Sequence, residues 1–96
     1  MTRIDLGLIL LNGPDPDTRA TFLQDTERSL AHIKGHFPSV WMADHLQFGD
    51  ADMLEGWTII TYLAGRHPEL QFGHTVLAQS FRNPALLAKM AATLQF

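Results

Sequence analysis

Ser39-Val40-Trp41-Met42-Ala43-Asp44-His45 decides the fold. A short apolar run passes directly into an acid and a histidine, which reads as a strand delivering polar groups at its C-terminal end. Upstream, Ile4 to Leu11 is a similar run, rich in Leu and Ile, and it stops at Asn12-Gly13-Pro14. An apolar run bounded by turn residues predicts a strand buried on both faces, as in a parallel sheet. Downstream, Leu70 to Leu77 is a third run, interrupted by Gly73. The three begin at residues 4, 39 and 70, spacings of 35 and 31 residues, each long enough for a strand, a helix and two connections.

The intervening segments carry helical signals. Asp15-Pro16 predicts an N-cap followed by proline at the first helical position. From there Phe22, Leu23, Thr26, Leu30 and Ile33 share one face, giving an amphipathic helix of roughly 17–19 residues that stops at Gly35. Asp52-Met53-Leu54-Glu55 has capping-box spacing and opens a second helix through Trp57, Ile60 and Ala64, closed by Gly65 and Pro68. Asn83-Pro84 caps a third, with Leu86, Leu87, Met90, Ala91 and Leu94 as its apolar stripe. The predicted fold class is α/β, with three consecutive βα units on a parallel sheet with right-handed crossovers.

That pattern suits either a doubly wound sheet or a (β/α)8 barrel, and three strands complete neither. The expectation is that residues 1–96 form the N-terminal part of a larger barrel domain. The alternatives are a small three-layer protein and an oligomer that completes itself with a second copy through its open sheet edge.

Composition narrows the function. The chain has 96 residues, seven basic and ten acidic, with a net charge of −3. It has no basic run, which speaks against a nucleic-acid partner. It has no cysteine, so disulfides, thiolate metal sites and thiol nucleophiles are excluded. Leu8 to Leu11 is its longest strongly apolar run, far short of the ~20 residues of a membrane span. Met1-Thr2-Arg3-Ile4-Asp5 places an acid in the apolar stretch and does not read as a leader, so the expected compartment is the cytoplasm.

In parallel α/β architectures chemistry lies beyond the C-terminal strand ends. Those ends are Leu11-Asn12-Gly13, Asp44-His45, and Thr75, Val76, Ala78, Gln79 and Ser80. A histidine exchanges protons near neutral pH, and a nearby carboxylate can orient it. Adjacent residues leaving a strand point apart, so the alternative is an Asp that caps the loop beside a solvated His. Gly73 permits close approach of a flat ring to the strand, or simply packing against Trp41. Asp44, His45 and His74 are candidate ligands for a metal-dependent hydrolase, but metal-ligand spacing is missing. Arg82 either binds an anion near the last helix or ties its loop down. No phosphate-loop motif is present. Trp41, Met42, Trp57 and Met90 are most simply core.

At these residues the chain resembles a known family. Ser39 to Leu46, Leu54-Glu55-Gly56-Trp57-Thr58-Ile59, Phe72-Gly73-His74-Thr75-Val76-Leu77, and Ser80-Phe81-Arg82-Asn83-Pro84 through Thr93 are similar to the bacterial luciferase-like flavin monooxygenases. The last stretch is the most specific. The resemblance implies a (β/α)8 barrel, a flavin (FMN) or deazaflavin coenzyme, and a small-molecule substrate. It places the coenzyme ring against Thr75, Val76 and Ala78. Thr75-Val76 would form a bulge, through a non-prolyl cis peptide in some members. Asp44 and His45 match the family's Asp-His after the second strand, with His45 beside the reactive ring and both governing protonation. Asn12 would face the substrate side. The chain departs from the family at His74, where many members carry Thr, and at His36-Phe37-Pro38 before the second strand. It also ends before the Gly-rich segment that usually follows, so a non-catalytic half-barrel that self-associates is the alternative to an active enzyme.

Overall fold

A computed structural model describes residues 2–96; Met1, the first residue of the stretch read above for a leader, lies outside them. The elements run in the order β1 (Gly7–Ile9), α1 (Phe22–Ile33), β2 (Ser39–Met42), α2 (Gly56–Arg66), β3 (Gln71–His74) and α3 (Pro84–Gln95), with single 3-10 turns at Pro16–Thr18 and Gln79–Phe81. The three strands form one parallel sheet in the order β1-β2-β3. Gly7 pairs with Ser39, and Ser39 in turn with Gln71.

The core occupies one face only. Val40 and Met42 point from β2 into a layer formed by Leu30 and Ile33 of α1 and Ile59, Ile60 and Leu63 of α2, with Leu70 beneath. Burial of each such side chain contributes about 1.5–3 kcal/mol, which makes this cluster the main support of the fold. The alternate residues face the other way. Ile9 is 65% exposed and Trp41 is 40% exposed. The first strand is therefore not buried on both faces as expected. It is an edge strand, with Gly7 and Ile9 open on the side away from the helices.

Trp41 is correspondingly not core. A Cβ on Gly7 would lie 2.7 Å from its Cδ1, and one on Gly73 would lie 2.7 Å from its Cζ3. The indole therefore lies flat across both neighbouring strands, and two glycines make room for it. Its Nε1 donates to Ser39 Oγ at 3.0 Å. Of the two readings of Gly73, the structure selects packing against Trp41.

Several boundaries differ from expectation. Asp15 makes no side-chain cap; the chain turns once at Pro16–Thr18, and α1 begins only at Phe22. Gly35 ends that region with φ +81°, as predicted for a helix stop. Asp52 does not cap α2, because its carboxylate pairs with Arg19 across the loop. Glu55 caps it instead, accepting from the Trp57 and Thr58 backbone N–H groups. Asn83 caps α3 as predicted, accepting from Ala85 and Leu86. No residue of α3 is fully buried, although Leu94 packs against the core.

Candidate functional site at the C-terminal strand ends

The parallel pairing brings the ends of all three strands to one edge of the sheet, where Asn12, Asp44 and the segment after His74 meet. The Thr75–Val76 peptide is cis. Thr75 N–H still donates to Met42 O at 2.9 Å, so the segment leaves β3 while held to β2. Beyond that bond Val76 is 81% exposed.

Asp44 turns inward. Its side chain is 1% exposed. Arg82 grips it with both terminal nitrogens, Nη1 to Oδ2 at 2.7 Å and Nη2 to Oδ1 at 2.9 Å. The Ala78 N–H donates to Oδ2 at 2.9 Å. Burial alone pushes the carboxyl pKa up, but the Arg82 and Ala78 hydrogen bonds outweigh it and hold the group below the ordinary aspartate range. Arg82 also reaches Glu55 with Nη2. Its guanidinium lies 5.7 Å from the Trp57 ring centroid. The hydrogen bond to Asp44, joined by that to Glu55, raises the Arg82 pKa further. Of the two readings of Arg82, the geometry gives the one in which it ties its loop down.

His45 turns outward. It is exposed and sits 5.3 Å, centroid to centroid, from Phe48. No hydrogen bond joins it to Asp44. His74 faces the helical layer, 5.7 Å from the Trp57 ring and tight against Gly56. Asp44 and His74 thus meet at Gly56 while His45 points away, and among the described residues no group of three or more potential metal ligands converges.

Asn12, expected on the substrate side, lies just past the end of β1. It is 2% exposed, because its amide donates to Ala43 O and Leu54 O, both at 3.1 Å, while its backbone carbonyl accepts from Leu54 N–H at 2.8 Å. It staples the end of β1 to the end of β2 and to the approach to α2. The sequence reading missed Glu55 as the partner of Arg82 and Gly56 as a steric requirement. A glutamate directly before Gly-Trp-Thr signals the cap of α2 but not the pairing with Arg82, which lies 27 residues further on. Nothing local signals the second, since the crowding atoms come from residues 43, 44 and 74.

A three-stranded parallel sheet backed by helices, with its polar and loop residues gathered at the C-terminal strand ends, is an α/β arrangement consistent with partial βα units of a (β/α)8 barrel. The chain belongs to the luciferase-like monooxygenase family, whose model matches residues 6–96. No curated protein and no solved structure matches it significantly. Among the described residues no helix is long and apolar enough to cross a membrane.

Proposed function

We propose that this chain forms part of an oxidoreductase of the luciferase-like class that uses a flavin (FMN) or deazaflavin coenzyme on a small-molecule substrate. The observation that carries the reading is the exposed Val76, at the edge where Asp44 and His45 leave the neighbouring strand. These residues fit the flat face of such a ring. Val76 presents bare hydrocarbon, and the nearest charges, on Asp44 and Arg82, are turned inward and paired. When bound, such a ring supplies hydride transfer or oxygen activation.

The chain's own residues take distinct roles. Thr75, Val76 and Ala78 form the surface behind the ring. Asp44 holds that surface through Ala78 N–H. It is buried and paired, so it acts on protonation only indirectly. His45 is exposed at the same edge, where its imidazole takes the role of proton donor or acceptor. The protein carrying this chain is expected to quench the fluorescence of one of the two rings saturably. Val76→Asp should weaken that binding, and His45→Gln should lower turnover by about 10²-fold or more. Absence of saturable quenching with both rings would defeat the proposal.

A second reading rests on the uncovered sheet face, where Ile9 and Trp41 lie exposed together with Leu11 and Phe48 nearby in the chain. On it the chain is a self-associating, non-catalytic module. Sedimentation of the chain and of Ile9→Lys separates the two: association that the substitution abolishes, with no ring binding by either, favours this reading.

A further inference from the structure

Arg82 is set apart by where its contacts come from. Its side chain is 9% exposed, and its partners lie on two other elements. Asp44 belongs to the end of β2, and Glu55 is the cap of α2. Between Arg82 and β3 the chain makes a loop, and that loop is tied to the same Asp44 carboxylate by Ala78 N–H. One carboxylate thus holds the loop at two points, residues 78 and 82, and the arginine fork keeps both carboxylate oxygens oriented. A planar fork does this in a way that a single ammonium cannot.

We propose that Arg82 is a positioning residue for the ring-binding surface, acting through Asp44 to fix the Thr75–Ala78 segment against the end of β2. The inference rests on the functional reading above for what the segment binds, but not for whether Arg82 holds it. Glu55 has the lesser part, steadying the arginine from the side of α2.

The test uses the full chain and two readouts. One is hydrogen exchange of the Ala78 amide, referred to the Leu30 and Ile33 amides of α1. The other is ring affinity, from fluorescence quenching by FMN or a deazaflavin coenzyme, whichever the unaltered protein binds. In Arg82→Gln the Ala78 amide should exchange roughly tenfold faster or more with α1 unchanged, and the ring dissociation constant should rise by a similar factor. Glu55→Gln should move both in the same direction by less. Should Arg82→Gln fail to fold, Arg82→Lys decides, because it keeps the charge without the fork. Weakened ring binding with α1 intact then supports the proposal.

Unaltered Ala78 exchange and ring affinity in a folded Arg82 variant would overturn the inference. So would exchange rising equally at Ala78, Leu30 and Ile33, which marks a general structural role. If the unaltered protein binds neither ring, the functional reading fails, and the exchange ratio alone still decides whether Arg82 positions the segment.

Discussion

Gly56 is a residue whose identity the site depends on and which nothing local in the sequence signals. A Cβ there would lie 2.7 Å from Asp44 Oδ1, 2.9 Å from Ala43 O and 3.0 Å from His74 Cε1. Two of those three atoms cannot swing away, since one is backbone and the other is held by Arg82. Gly56→Ala should therefore destabilise the fold by about 1–3 kcal/mol, with α2 displaced from the end of β2. Gly65, in the same helix, stands in open space: a Cβ there would meet nothing within 4 Å, and its φ is not positive. Gly65→Ala should stabilise by roughly 0.5–1 kcal/mol through helix propensity. Denaturant unfolding of the two variants checks the pair; equal shifts in the same direction would mean that crowding at Gly56 relaxes freely. Asp44 and His45 show the related limit of reading adjacent residues. The dipeptide was legible as a strand end carrying polar groups, but which of the two turns inward depended on Arg82, far along the chain.

At the scale of elements, the strands and helices were legible in kind and order because each apolar run or stripe is local. Their ends were less so. The apolar stretch from Ile4 to Leu11 shrinks to Gly7–Ile9 because β1 has a neighbour on one side only. The third strand stops at His74, where the chain departs into the cis Thr75–Val76 segment. The start of α2 moved from the Asp52 region to Gly56 because two carboxylates competed for the role. Arg19, brought in from before α1, engages Asp52. Glu55 satisfies the helix N-terminus and, with its longer side chain, also reaches Arg82. Glutamate is an uncommon cap, and that second contact gives a physical reason for it here. The alternation along β2 was equally local, but assigning Trp41 to the core failed. Only the register, with glycines on both neighbouring strands, shows that its indole lies flat on the uncovered face.

Across the whole molecule, ion pairs and charged hydrogen bonds tie the elements together at both ends of the sheet. At the C-terminal strand ends stand Asp44 and Glu55 with Arg82. At the opposite end Glu27 of α1 meets Arg66 and His67 at the close of α2, and Lys34 meets Glu69. Burial opposes ionisation of Glu27 and Glu55, yet hydrogen bonds outweigh it and hold both below the ordinary glutamate range. Glu69 is lowered chiefly by its hydrogen bond from Lys34. A carboxylate depressed in the folded state binds fewer protons there than in the unfolded chain, so stability rises with pH through that range. Its contribution is complete above the unfolded values, about pH 4, and is lost as pH falls through the folded ones. The protein should therefore keep level stability from these groups at neutral pH and lose it steeply in acid. Asp44 is the most enclosed of the four, so its share should be separable. In Asp44→Asn, stability at neutral pH falls because Arg82 is left without its buried partner. The further decline below about pH 5 should then be shallower than in the unaltered protein. Urea unfolding of both proteins at a series of pH values measures this directly. Parallel curves across the acid range would mean that Asp44 titrates alike in the folded and unfolded chain and would overturn this prediction.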